Sequence, residues 1–295
     1  MKVTVACAQY GIGEPADFAA FADRVAGQVA TAAARGARFV ILPEYLALEA
    51  AAGLPPAVRG DFAASLAALQ PAHQDYLDAM VALARHHRIH LVAGSFLLDV
   101  GGGRYRNRSY LIAPDGRTVF QDKLTLTGFE KETGIIEPGD RLKVFETAFG
   151  RTAIAICYDI EFPLYARRQV EAGARLLLVP SCTDTEAGAN RVRYGCQARA
   201  MENQVFVACA VTAGEAAWSP ALDTNTGRAA IYTPVDRGFP SDGVQVRADE
   251  GPGWAIAEVD LAALDAQRQR GQVGIAADWP AQQRPDLERP IVEAL

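Results

Sequence analysis

Short apolar runs that stop abruptly at polar or turn-forming residues alternate along the chain with longer stretches of helical periodicity, and this alternation predicts an α/β fold. Lys2 to Ala8 reads as a first strand. From about Ala16 to Ala34, Phe18, Phe21, Val25 and Val29 fall at helical spacing, and Gly36 ends the helix. Ala37 to Leu42 then reads as a strand buried on both faces, closed by Pro43-Glu44. Tyr76, Met80, Val81 and Leu83 mark a second helix that feeds the strand His90 to Leu97. A hairpin follows, Asn107 to Ala113 against Arg117 to Asp122, turned by Pro114-Asp115-Gly116 and delivering Lys123 at its end. Leu124 to Asp140, with Gly128, Gly134, Pro138 and Gly139, is expected to be an irregular connection carrying Glu130, Lys131 and Glu132 over the strand ends.

In the second half, Val144 to Phe149 leads into an apolar run from Arg151 that stops at Cys157. Tyr158-Asp159 and a helix from near Pro163 to Ala172 follow, so the stretch reads as strand, sharp turn, helix. Gly173-Ala-Arg-Leu-Leu-Leu-Val-Pro180 echoes Gly36-Ala-Arg-Phe-Val-Ile-Leu-Pro43, which supports parallel strands and hints at two similar halves. A helix over Asn190 to Asn203, strands over Gln204 to Ala210, Ala229 to Thr233 and Gly253 to Val259, and a helix from near Leu261 complete the pattern. Residues 1–270 read as one domain. Residues 271–295, with Pro280, Pro285 and Pro290, read as an extended arm suited to packing on a neighbouring subunit.

Composition narrows the picture. Half of the 295 residues are apolar, enough for a sizeable core, and the net charge of −6 is spread without long runs, which argues against a nucleic-acid surface. No apolar stretch approaches membrane-spanning length, and the start from Met1 is too soon interrupted by Gln9 for a signal peptide, so a cytoplasmic protein is expected. The five cysteines, Cys7, Cys157, Cys182, Cys196 and Cys209, form no Cys-x-x-Cys pair, so neither a zinc site nor a disulfide framework is expected. Gly101-Gly-Gly103 lacks a nucleotide-binding context and reads as a flexible turn.

Chemistry enters at the strand ends. Glu44, Lys123, Cys157 and Ser181 each follow a strand, and in open α/β sheets ligands collect at such carboxyl ends. A thiol, a carboxylate and an ammonium converging there suit covalent catalysis: the carboxylate takes the thiol proton and the cation favours thiolate and oxyanion. Each residue also has a plain reading. Cys157 alone reads as a small buried hydrophobe, Glu44 as a solvated rim charge, and Lys123 as the partner of Asp122 in a hairpin charge pair. All four histidines, His73, His86, His87 and His90, precede the hairpin and none ends a strand, which leaves Glu44 as the better base. The i, i+4 spacing of His86 and His90 is broken by a strand starting near Ile89, so no metal is expected there.

Leu42-Pro43-Glu44, Asp122-Lys123-Leu124 and Ile156-Cys157-Tyr158-Asp159 resemble, in order and approximate spacing, the Glu, Lys and Cys motifs of the nitrilase superfamily of carbon–nitrogen hydrolases. Arg199-Ala-Met-Glu202-Asn203 resembles a further helix motif of that superfamily, and the resemblance covers nearly the whole chain. It implies a four-layer α-β-β-α sandwich, a Glu44-Lys123-Cys157 triad that needs no metal or cofactor, and a homodimer or larger assembly. It also implies a second carboxylate beyond the lysine, for which Glu130 is the nearest match with Glu132 as the alternative. Nitrile-cleaving members usually carry tryptophan then glutamate after the cysteine, so Tyr158-Asp159 resembles the amide-cleaving branches. Pro180 to Thr185 and Asp223 to Gly227 resemble a subgroup sometimes fused to an N-acetyltransferase domain, a domain not expected within these 295 residues. Neither the membrane spans of the apolipoprotein N-acyltransferases nor the synthetase domain of NAD synthetases is expected here.

The expected substrate is therefore a small linear amide or carbamoyl compound. Lys123 and the backbone N–H of Tyr158 are expected to hold the oxyanion, and Ser181, Cys182 and Thr183 to line the pocket. Arg199 and Glu202 read as a structural pair. The alternatives are nitrile hydrolysis, acyl transfer from the same thioester to an amine, and a noncatalytic ligand-binding protein of the same fold.

Overall fold

The computed structural model describes residues 1–294, which form thirteen strands and flanking helices. The first-half strands are β1 (Lys2–Gly11), β2 (Phe39–Leu42), β3 (His90–Gly101), β4 (Arg104–Ile112) and β5 (Thr118–Asp122). The remainder are β6 (Phe145–Thr147), β7 (Gly150–Ile154), β8 (Leu176–Ser181), β9 (Phe206–Glu215), β10 (Thr224–Asn225), β11 (Ala230–Tyr232), β12 (Val244–Arg247) and β13 (Gly253–Asp260). Hydrogen bonding links β5-β4-β3-β2-β1-β13 as one run and β6-β7-β8-β9-β11-β12 as another. The runs join where the last residues of β1, Gln9 to Gly11, pair in parallel with Val211 to Ala213 of β9.

Alternation along β1 sets the layers, because successive side chains of a strand point to opposite faces. Val3, Val5 and Cys7 pack with Phe39, Ile41 and Val92 in a cluster shared with β7, β8 and β9. Ala6, Ala8 and Tyr10 belong instead to a second cluster, with Phe21, Val25 and Val29 of helix Phe18–Ala34 and Tyr76, Met80 and Ala84 of helix His73–His87. Ala166 and Val170 of helix Pro163–Glu171, and Val192, Cys196 and Ala200 of helix Glu186–Asn203, cover the second run. The order is helix, sheet, sheet, helix, the four-layer α-β-β-α sandwich expected above. Full burial of a side chain such as Phe39 contributes about 1.5–3 kcal/mol, so this continuous interior anchors the loops at the strand ends.

The helix starts and stops follow local chemistry. Asp17 caps Phe18–Ala34 by accepting from the Ala20 N–H at 2.8 Å, and Gly36 takes φ +85° just beyond the helix end. Gly173, its counterpart in the echoed segment, takes φ +99°, and β2 and β8 are both interior parallel strands. Differences lie at edges. β3 extends to Gly101 and turns through Gly102 and Gly103 into β4, which starts at Arg104 and pairs with β3 as well as β5. β12, Val-Gln-Val-Arg with two exposed side chains, was not expected because its pairing comes from β11 alone. Among the described residues no helix is long and apolar enough to cross a membrane. Residues 271–294 carry short turns, Ile275–Asp278, Trp279–Gln282 and Pro285–Leu287, and are mostly exposed; residue 295 of the expected arm lies outside the described residues.

Candidate active site

Glu44, Lys123 and Cys157 come together from three separate chain segments. Glu44 follows β2 after Pro43, and the backbone at Tyr45 turns left-handed, φ +61°, with its N–H donating to the Ser95 hydroxyl at 2.8 Å. Gly94 makes room for this turn: at φ +63° it lies against the Pro43 carbonyl, and a Cβ there would also meet Leu46 Cβ at 2.7 Å. Lys123 follows β5. Its neighbour Asp122 is taken by Arg108 through bonds of 2.7 and 3.0 Å, so the hairpin charge pair belongs to Arg108 and the lysine is free to point inward. Cys157 sits just past β7, at φ +47°, as the first residue of the 3-10 turn Cys157–Glu161. Two of the four non-glycine residues with positive φ among the described residues, Tyr45 and Cys157, therefore belong to this cluster. Such conformations cost about 1–2 kcal/mol each in an L-residue and concentrate at functional sites.

Lys123 is the hub. Its ammonium lies 2.8 Å from Glu44 Oε1 and 2.8 Å from Glu130 Oε2, with all three side chains buried. Asn107 Nδ2 donates to Glu44 Oε1 at 2.8 Å and to Glu130 Oε1 at 3.3 Å, and the Tyr45 hydroxyl donates to Glu130 Oε1 at 2.7 Å. The Cys182 N–H donates to Glu44 Oε2 at 3.1 Å. The Ser181 hydroxyl donates to Cys157 Sγ at 3.2 Å, and the thiol faces the Cys182 carbonyl at 3.4 Å. Glu130 arrives by a capping box: Thr127 and Glu130 bond reciprocally at the start of the short helix Gly128–Glu132. Of the two acidic residues, Glu130 is buried against Lys123 and Glu132 is exposed.

The two carboxylates are held in different states. Burial raises the Glu44 carboxyl above its ordinary range, with Lys123 pulling the other way and Glu130 adding to the rise. Burial would raise Glu130 too, but Lys123 and the donors from Thr127 and Tyr45 outweigh it and hold that carboxyl below its ordinary range. Burial works against the Lys123 ammonium, yet Glu130 and Glu44 hold it well above the usual lysine range. Burial and the neighbouring Glu44 push the Cys157 thiol well up, against the pull of Lys123 and Ser181, so the resting thiol is protonated. Burial likewise takes the Asp159 carboxyl up to about 7, opposed by backbone donors from Leu124 and Thr125, the latter at 2.8 Å. Asp159 thus ties the turn after Cys157 to the segment after Lys123.

A cavity of 290 Å³ opens on this cluster, lined by Glu44, Tyr45, Lys123, Cys157, Tyr158, Cys182 and Thr183, with Glu161 and Arg191 also on its wall. Tyr158 packs its ring edge-on to Phe162, with centroids 4.9 Å apart. Thr183 reaches the cavity, but its hydroxyl donates to the Thr226 carbonyl at 2.7 Å, a structural bond. Ser181 stands behind the thiol, fully buried, as a donor to sulfur and not as a cavity wall. Arg199 and Glu202 pair at 3.2 Å on helix Glu186–Asn203. Asn107 and Tyr45 were not singled out from sequence; a polar residue at an inward position of a strand was the available signal for Asn107, and nothing local marked Tyr45. Among the described residues no cluster of three or more His, Cys, Asp or Glu side chains is arranged to hold a metal ion.

Probable hydrolase YhcX of Bacillus subtilis (strain 168) is 32% identical over 274 residues, covering 92% of this chain and 52% of that protein, so the chain spans about half of its relative's length. Omega-amidase NIT2 of Xenopus tropicalis is 30% identical over 136 residues, 43% of this chain and 49% of that protein. The crystal structure of a carbon-nitrogen hydrolase from Helicobacter pylori G27 superposes with a TM-score of 0.77 at 16% identity, covering 97% of this chain and 96% of that one, which shows a shared fold. The model of the carbon-nitrogen hydrolase family matches residues 4–269. The chain belongs to the carbon-nitrogen hydrolase family.

Proposed function

We propose that the site hydrolyses the C–N bond of a small linear amide or carbamoyl compound through a thioester on Cys157. The observation that carries this reading is the Lys123 ammonium shared at 2.8 Å between Glu44 and Glu130 at the floor of the cavity that holds Cys157. Glu44 takes the thiol proton as the sulfur attacks the carbonyl carbon, forming the C–S bond. The electron pair that moves onto the carbonyl oxygen is held by Lys123 and the Tyr158 N–H. Collapse breaks the C–N bond, and Glu44 returns the proton to the departing ammonia or amine. Water then attacks the thioester carbon, Glu44 taking its proton, and the C–S bond breaks to release the acid and restore the thiol. Glu130, kept ionised, fixes Lys123 and leaves Glu44 free to exchange protons.

The amide preference is supported by relatives named as omega-amidases and a deaminated glutathione amidase, and by Tyr158-Asp159 after the cysteine. Ammonia release from a panel of short amides, ω-amides of dicarboxylic acids among them, and short nitriles tests the reading. Turnover of amides above nitriles, reduced about a thousandfold or more in Cys157→Ala, is the expected result. Turnover that Cys157→Ala leaves unchanged would overturn it, and product that depends on an added amine instead of water would replace hydrolysis with acyl transfer.

A further inference from the structure

A second cavity, of 340 Å³, lies behind the catalytic one, between helix Glu186–Asn203 and strands β9, β11 and β12. Arg193 and Arg228, both half-buried, and the exposed Arg247 line it, and no ion pair among the described residues includes any of the three. Other arginines of the same helical layer do find carboxylates: Arg167 and Arg168 pair with Glu171, Arg191 with Glu161, and Arg199 with Glu202. Arg193 leaves a buried Nε without a hydrogen-bond partner and stacks over Tyr194 at 4.6 Å. Arg228 spends only its Nε, on the Ala248 carbonyl at 3.1 Å, leaving its two terminal nitrogens uncommitted. Tyr232, 2% exposed, lines the same cavity, and its hydroxyl makes no side-chain hydrogen bond among the described residues. Glu186 and Glu250 also line it, but both are exposed and neither pairs with the arginines.

Three guanidinium groups without carboxylate partners face one cavity, one of them with a buried Nε that has no acceptor, beside the Tyr232 phenol, and a ligand whose oxygens accept several bonds at once suits such a set of donors. We propose that this cavity binds a small organic oxyanion, a carboxylate or a phosphate, at a site distinct from the catalytic one. The two cavities share Thr183 and Val192, and Ser181, which lines the second, donates to the Cys157 sulfur at 3.2 Å. An anion there would sit one side chain behind the thiol without occupying the place of the scissile bond.

Isothermal titration of the full chain with inorganic phosphate and, separately, with succinate, at matched chloride, tests the proposal and tells the two sources apart. Saturable binding of at least one of them, with the same Kd in wild type and Cys157→Ala, is expected. Arg193→Gln and Arg228→Gln should each weaken it about tenfold or more, the loss of a charge-assisted bond. Circular dichroism melts confirm that the variants are folded; if they are not, Arg193→Lys with Arg228→Lys, which keep charge but lose the planar fork, carry the test and should still weaken binding. Absence of saturable binding by either anion would overturn the proposal, as would affinity that survives both arginine substitutions or disappears in Cys157→Ala.

Discussion

A buried ammonium held 2.8 Å from each of two carboxylates fixes which acid can change its proton and which cannot. Glu44 is raised by burial and Glu130 is held down by Lys123, so acidification protonates Glu44 first and removes the proposed base. The kcat/KM of amide hydrolysis is therefore expected to fall as pH drops through a value above the ordinary carboxylate range, while Lys123, held well above the lysine range, stays charged throughout. A pH profile whose acid limb lies at or below the ordinary range would contradict the assignment. Removing the hub should also cost stability: Lys123→Met leaves two buried carboxylates uncompensated, a loss of about 3–5 kcal/mol, read as a shift in the urea midpoint. At this scale Glu44, Lys123 and Cys157 were legible because each follows a strand, Glu44 and Cys157 at the end of an apolar run and Lys123 at the end of a hairpin arm. Asn107 and Tyr45 were not, since their roles arise only when β4 and the loop after β2 meet at Glu130.

At the scale of elements, the loop bearing Glu44 depends on Gly94 in the neighbouring strand β3. Gly94→Ala places a methyl group against the Pro43 carbonyl at a left-handed backbone position, where accommodation costs about 1–3 kcal/mol. The variant should melt lower and lose kcat more than binding, because the displaced group is the proposed base; a melt unchanged from wild type would show that the loop yields freely. The interior strands were readable because burial on both faces leaves continuous apolar runs, as in Phe39 to Leu42 and Leu176 to Ser181. The edge strand Val244–Arg247 was not, since it alternates like any exposed segment, and the short helix under Glu130 is set by a reciprocal bond with Thr127 that spacing alone does not distinguish from a loop.

For the whole molecule, two sheet runs sharing one interior hold the ends of β2, β5, β7 and β8 around a single cavity. The layer order could be inferred only by resemblance, because no local pattern says which face of β1 meets a sheet and which a helix. The arm contributes little to this interior: Ile291 and Val292 are 87% and 94% exposed. Truncation after Gln282 is expected to leave the melting temperature within error of wild type while reducing self-association, measured by light scattering; a large drop in melting temperature would place the arm in the fold itself. The central claim, that Cys157 carries the acyl group, is tested most directly by rapid-quench intact-mass spectrometry during turnover of a short amide. An adduct of the acyl mass on Cys157, formed as ammonia leaves and absent from Cys157→Ala, is the predicted result; ammonia release of equal rate in Cys157→Ala, with no adduct in either protein, would contradict it.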